Sequence, residues 1–501
     1  MISTEILYFY DYVQNLSDTT LTKELSECLT NSLNRSQTSN IRPNSYGVEG
    51  ALFGDEGKGA VMAKINHQLY EKHHQLYSLR YNGGGNAGHE AVFNGLTVVT
   101  HQLPMAIAQE GATAIISRGM VIHPTELIVE MDAVEQSLGT KLPANLLIDG
   151  FTPLALDTHR AIEKIYKQDL PGSKGSTGRG IAPAYSSLLL RNAVFFNDLF
   201  EPDYQEIFGN HYDFCEKQLW GFGANLAEIS VYNMKESLKS SKPVERPVGT
   251  KREFIEKLEL CREVLKPHLL KDAYHLLGTV WNNPSIPITF EGAQGMGLDP
   301  YHGVYPDVTA SRPGSNFISD ATYGRIIPNE IAYRMGTLKT YTSSVGCRNL
   351  PNVKNEQWET DIQIEFKEKG KSTGRLRGIS PIPLSILEYL RRVAGYDFLA
   401  VTHLDAIRPN QPMRVITHYS DRKSGLETPY IPYQQMLNNL DAHCIEFAGC
   451  DEAKTIKAKN LKDLPPEIKR CLLFLSRTIA PTIYSTHGPD LEDYISCLPG
   501  L

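Results

Sequence analysis

From residue 54 to residue 59 the chain reads Gly-Asp-Glu-Gly-Lys-Gly, and three glycines beside one lysine leave few local folds open to it. The apolar-leaning stretch 46–53 before it holds two glycines and is a weak strand by propensity alone. After it, residues 60–70 repeat apolar side chains at helical spacing. A strand, a glycine turn and a helix in succession let the turn's N–H groups converge on a phosphate at the helix N-terminus. Lys58 adds a point charge. The run is not a GxxxxGK[ST] loop, because Leu52 stands where the first glycine belongs and Gly59 offers no hydroxyl to a metal. Asp55 and Glu56 are the informative oddity, since acids beside a phosphate must hold a metal, take a proton or point away. Alone, the run reads more readily as an ordinary turn with solvated charges than as a binding site.

A second strand over 75–81 leads into another glycine turn at 83–88, and further strand signals fall at 286–290, 398–402, 415–418 and 482–485. This alternation predicts an α/β fold, with a large, mostly parallel central sheet flanked by helices. Residues 202–280, rich in helix formers and interrupted between Pro243 and Pro247, read as a helical excursion covering one side. Residues 1–44 read as an appendage to the domain 45–501. There Leu21, Leu25, Cys28 and Leu29 follow a candidate N-cap at Asp18, predicting a short amphipathic helix and a polar linker.

The 501 residues are 41% hydrophobic and 21% charged, enough to bury a sizeable core. The formal net charge of -7 argues against a nucleic-acid partner. Eight dispersed cysteines without a CxxC pair read as free thiols in a reducing compartment. No stretch is apolar for a bilayer's depth, and Glu5, Asp11, Asp18, Glu24 and Glu27 are out of place in a targeting segment, so a cytoplasmic protein without a membrane partner is predicted.

The glycine loop has company. Asn82-Gly83-Gly84-Gly85-Asn86-Ala87-Gly88-His89 follows it, then Ser176-Thr177-Gly178-Arg179-Gly180-Ile181-Ala182-Pro183-Ala184-Tyr185 and Phe290-Glu291-Gly292-Ala293-Gln294-Gly295. His302-Gly303-Val304-Tyr305-Pro306, Val308-Thr309, Ser372-Thr373-Gly374-Arg375, Thr402-His403-Leu404-Asp405 and Ser485-Thr486-His487-Gly488-Pro489-Asp490 complete the series. In this order, from about residue 46 to the C-terminus, the blocks resemble the signature stretches of the adenylosuccinate synthetase family. The resemblance implies that family's P-loop-NTPase-like fold. It also implies its reaction, in which GTP with Mg2+ phosphorylates O6 of IMP and the amine of L-aspartate displaces the phosphate.

Carried over position by position, the resemblance makes Asp55 the base that takes the N1 proton and a ligand of the metal, with the Gly88 carbonyl as a second ligand. His89 matches the residue that donates to the phosphates as charge develops. Lys58 and the loop Gly54, Glu56, Gly57 and Gly59 match the triphosphate cradle. Arg377 is expected to reach the same nucleotide, and His403, Asp405, Ser485 and Gly488 match its base pocket. There the Asp405 carboxylate would accept from N1–H and the 2-amino group of guanine. Asn86, Thr177, Gln294 and Thr309 match IMP-binding positions, and Arg191 matches an arginine reaching the neighbouring subunit's IMP, which implies a homodimer. Ser372, Thr373 and Arg375 match the loop that receives aspartate.

Several positions depart from the family pattern. Leu52 replaces a glutamine, Ala60 a second lysine, Gly85 a frequent histidine, Glu90 a threonine and His403 a lysine. His487 looks inserted, and Arg312-Pro313 replaces a small polar run. They keep two alternatives open: the same chemistry on GMP or dGMP, or with ATP, and a catalytically silent nucleotide-binding regulator. Retention of Asp55 and His89 speaks against the silent reading.

Overall fold

The structure is a computed structural model that describes residues 3–35, 40–93, 95–169, 177–240, 242–344, 348–368, 376–488 and 490–498. Ten strands form its central sheet: β1 (Arg42–Gly50), β2 (Leu76–Arg80), β3 (Ala112–Ile116), β4 (Asn145–Asp149), β5 (Leu269–Leu270), β6 (Ile288–Gly295), β7 (Ile331–Lys339), β8 (Phe398–Thr402), β9 (Thr482–Thr486) and β10 (Tyr494–Ser496). Their spatial order is β10-β9-β8-β7-β1-β6-β2-β3-β4-β5. All neighbours are parallel except β9 and β10. The predicted mostly parallel α/β sheet is therefore present, with the glycine-rich first strand at its centre.

Central position explains why a strand poor in β-formers holds. β1 is paired on both sides, by β6 and β7, and its last six residues are buried. Hydrogen bonding and burial by neighbours override propensity there. The run predicted over 415–418 belongs elsewhere: the strand Met413–Asp421 pairs with Leu440–Phe447 in a separate small sheet.

The excursion consists of the helices Tyr204–Trp220, Met234–Ser237, Lys251–Leu265 and Ala273–Asn282. It includes a hairpin of Ser230–Tyr232 with Glu245–Pro247, and it contributes β5 to the sheet edge. At the N-terminus two helices, Ser3–Gln14 and Asp18–Arg35, stand where one was expected. Both pack on the helix Pro466–Thr478, burying Ile6, Val13, Leu21, Leu25 and Leu29. Lys469 of that helix, itself buried, donates to Asp18 Oδ1 at 2.8 Å. Among the described residues no helix is long and apolar enough to cross a membrane.

Candidate functional site

The site lies at the C-terminal ends of the central strands, where open parallel sheets place their ligands. β1 runs into the glycine loop, and the helix Lys58–His73 leaves it. Gly54, Asp55 and Gly57 take positive φ of 92°, 62° and 86°, so the loop winds left-handed before the helix starts. Asp55 is the non-glycine exception, and its carboxylate stays partly exposed.

Glu56 points inward. Its Oε1 accepts from the amides of Gly54 at 2.7 Å and Leu52 at 3.2 Å, and Oε2 lies 2.6 Å from Lys58 Nζ. A Cβ on Gly50 or on Gly295 would come within 2.6 Å of this carboxylate, so the glycine that weakened the strand by propensity makes room for the strut. The charge of Lys58 is thus compensated within the loop by Glu56.

Gly59 is needed for a different neighbour. A Cβ there would sit 2.6 Å from His89 Cβ, which brings His89, at the start of the hairpin His89–Phe93 and Leu96–Thr100, against the loop's helix. His89 Nδ1 lies 2.5 Å from Glu291 Oε1 on β6, and its Nε2 makes no hydrogen bond among the described residues. Burial, aided by Arg80 and opposed by Glu291, pushes the imidazole down to about 4. Burial raises the proton affinity of Glu291, but His89 and Arg80 bring it below the usual carboxylate value. An ionised Glu291 therefore fixes the neutral tautomer with the proton on Nδ1 and leaves Nε2 as an acceptor. Glu90 alternates onto the hairpin's opposite, exposed side, which removes it from His89's face.

Asp55 Oδ2 contacts Arg377 Nη1 and lies 3.8 Å from Lys339 Nζ. Behind these cations sits buried Glu368, which also accepts from Tyr341 at 2.6 Å. Opposite, Gln294 Nε2 donates to Asn86 Oδ1 at 3.2 Å, Ser311 Oγ donates to Gln294 Oε1 at 2.7 Å, and Thr309 Oγ1 lies 3.3 Å from Ser311 Oγ. Three of the expected IMP positions are therefore joined in one polar chain through Ser311. Thr177 and Arg191 are exposed, and Arg191, at φ 62°, follows the exposed Leu189 and Leu190.

The base-pocket candidates cluster at the ends of β8 and β9. His403, at φ 59°, packs edgewise on Tyr341 and Phe366. Burial, with Lys339, pushes His403 down to about 4. Burial, with Glu452 and Asp493, pushes Asp405 up to about 7. Ser485 is buried in β9, and Gly488 lies where a Cβ would meet Asp493 Oδ2 at 2.3 Å. His487 is buried, and neither ring nitrogen makes a hydrogen bond among the described residues.

The aspartate positions Ser372, Thr373 and Arg375 lie outside the described residues. Among the described residues no group of three His, Cys, Asp or Glu side chains could hold a metal by itself. The sequence reading assigned no role to Glu291, Ser311, Lys339, Tyr341 or Glu368. A glutamate in the apolar strand Ile288–Gly295 was the one available signal, because a buried acid demands a partner.

Comparison with known proteins bears on the family and the fold. The family model described as adenylosuccinate synthetase matches residues 47–495. The adenylosuccinate synthetase of Bdellovibrio bacteriovorus is 30% identical over 456 residues, which cover 90% of this chain and 98% of that protein. The Neurospora crassa adenylosuccinate synthetase is 28% identical, over 89% of this chain and 97% of its own. Among solved structures, the fully ligated adenylosuccinate synthetase from Plasmodium falciparum shares the fold with a TM-score of 0.75 at 21% identity, covering 90% of this chain and 99% of that one. The cyanophage S-2L succinoaminodeoxyadenylate synthetase, bound to dGMP and dATP, gives 0.53 at 16% identity, covering 91% and 95%.

Proposed function

The chain belongs to the adenylosuccinate synthetase family of ligases, and we propose that it joins IMP to L-aspartate at the expense of GTP, in purine nucleotide biosynthesis. The observation that carries this reading is the packing of His89 against Gly59, which gathers an acid, an imidazole and a lysine around one phosphate loop.

In this reading Asp55 takes the N1 proton of IMP, and O6 attacks the γ-phosphorus while GDP leaves. Lys58 exchanges Glu56 for a phosphate oxygen. His89 Nε2 takes up a proton from solvent as the phosphate approaches it, and then donates to a phosphate oxygen. Arg377 and Lys339 face the same charge. Asn86, Gln294 and Thr309 hold the monophosphate nucleotide. Asp55 and the Gly88 carbonyl would hold Mg2+, and the ion would supply positive charge to offset that of the phosphates. The aspartate amine then attacks C6 and phosphate departs, with Ser372, Thr373 and Arg375 receiving the amino acid. At the other end Asp405 reads the guanine edge, with His403, Ser485 and Gly488 lining the pocket. Arg191 and the exposed leucines before it face a second copy of the chain, which completes the IMP site.

Purified protein with Mg2+ and aspartate, offered IMP, GMP or dGMP and either GTP or ATP, tests the reading by phosphate release and adduct mass. An adduct with IMP and GTP is expected. Formation of the 2-amino adduct alone would redirect the purine assignment, and no adduct with any pair would overturn the enzymatic reading.

A further inference from the structure

Glu368 belongs to none of the nucleotide blocks, yet it organises the charges behind Asp55. It follows the helix Glu356–Glu365, and its side chain is 1% exposed. Oε1 accepts from Tyr341 at 2.6 Å and from Lys339 Nζ, while Oε2 lies 2.6 Å from Arg377 Nη1. The Arg377 amide also donates to the Glu368 carbonyl at 3.0 Å, and Gln363 Nε2 donates to the Arg377 carbonyl at 2.7 Å. The two cations that face Asp55 are therefore both anchored from behind by one carboxylate. Burial raises the proton affinity of Glu368, but Lys339, Tyr341 and Arg377 bring it down to about 2, so it is ionised.

A buried ion cluster contributes little net stability, because desolvation offsets most of the Coulomb gain. Its usefulness here is geometric. Asp55 can act as a base only if its carboxylate is released from Arg377, and cations without a second anchor would follow it and keep it neutralised. With Glu368 in place, Arg377 and Lys339 retain a carboxylate when Asp55 turns to substrate.

We propose that Glu368 is a positioning residue that holds Lys339 and Arg377 on the phosphate side of Asp55, so that they meet the transferred phosphoryl group and leave the base free. The proposal rests on the reading of Asp55 as the reacting carboxylate.

Steady-state rates of the full chain test it, with the purine monophosphate varied and kcat expressed per folded molecule from melting curves at the assay temperature. Glu368→Gln should lose about 100-fold in kcat, the scale of one preorganised electrostatic contact. Its KM for the monophosphate should stay within about threefold, because the chain from Asn86 to Thr309 does not touch Glu368. Glu368→Asp, which keeps the charge one methylene short, should recover roughly tenfold of that loss. A purely structural role would lower the melting temperature and leave kcat per folded molecule unchanged, which overturns the proposal. Should the glutamine variant not fold, the aspartate variant decides, and a wild-type kcat there also overturns it. An active wild type with an unaffected Glu368→Gln defeats this proposal alone, whereas an inert wild type defeats the functional reading together with it.

Discussion

At the phosphate end of the site, Lys58 is held by Glu56, His89 by Glu291, and Arg377 and Lys339 by Asp55 and Glu368. At the base end, Asp405 makes no ion pair among the described residues, and the nearby charges that act on it are the acids Glu452 and Asp493. The first region is compensated within the chain, so in the proposed reading phosphate binding is an exchange of partners. The second is uncompensated, and a ligand there must supply the missing donors. Compensation keeps a charged loop rigid and ready for transfer, while its absence makes a base reader selective, because a base without donors leaves the carboxylate unpaired.

The sharpest way to break this contrast is at the phosphate end. Asp55→Ala and His89→Ala should each lower turnover per folded molecule by on the order of a thousandfold, as removal of an acid–base group does, and His89→Ala should also lower the melting temperature because it leaves the buried Glu291 carboxylate without its partner. Near-normal turnover in either, measured as phosphate release, would remove the distinction between the two ends. Gly59→Ala comes next. Its Cβ would lie 2.6 Å from His89 Cβ, so the imidazole must shift, and a kcat loss of about 100-fold is expected from such misplacement. If its kcat matched wild type, the close approach would be irrelevant to catalysis.

A smaller and different effect is expected at the base end. Asp405→Asn replaces a double acceptor by an amide, and the ratio of kcat/KM for GTP over ATP should fall by roughly 10- to 100-fold, the worth of one or two charge-assisted bonds. The kcat at saturating nucleotide should change far less, since Asp405 does not touch the transferred phosphate. A large kcat loss with unchanged selectivity would refute the assignment.

How much of this was legible in the sequence follows the same division. The parallel sheet could be read from glycine turns set between strand and helix patterns, and the loop from its own six residues. The strands Ala112–Ile116, Asn145–Asp149 and Ile331–Lys339 are not distinguished by sequence pattern, because runs buried on both faces lack the alternation that separates a strand from a buried helix segment, although Gly111, Gly150 and Pro328 flank them. Glu56 was read as a phosphate neighbour, and only the fold shows its carboxylate bracing the amides of Leu52 and Gly54. Glu368 and Lys339 come together from segments 29 residues apart, and a pairing at that separation leaves no local trace. His403 and His487 stood out as departures from the family pattern. Their burial among Tyr341, Phe366 and Asp493 is tertiary information.

The smallest expected effect reads the uncompensated end through pH. Burial, reinforced by Glu452 and Asp493, raises Asp405 to about 7, well above its unfolded value near 4. The folded protein therefore holds a proton that the unfolded chain releases, and stability from this group is fully present below about pH 4 and lost as pH rises toward 7. Guanine binding has the opposite sign, because only the carboxylate accepts from both N1–H and the 2-amino group. The KM for GTP should thus fall as pH rises through about 7, while the melting temperature loses a few degrees between pH 5 and 8. Asp405→Asn cannot titrate, so it should flatten both profiles relative to wild type. If the variant keeps the wild-type pH dependence of KM, the carboxylate at the end of β8 is already compensated in the bound state, and the contrast between the two ends does not survive.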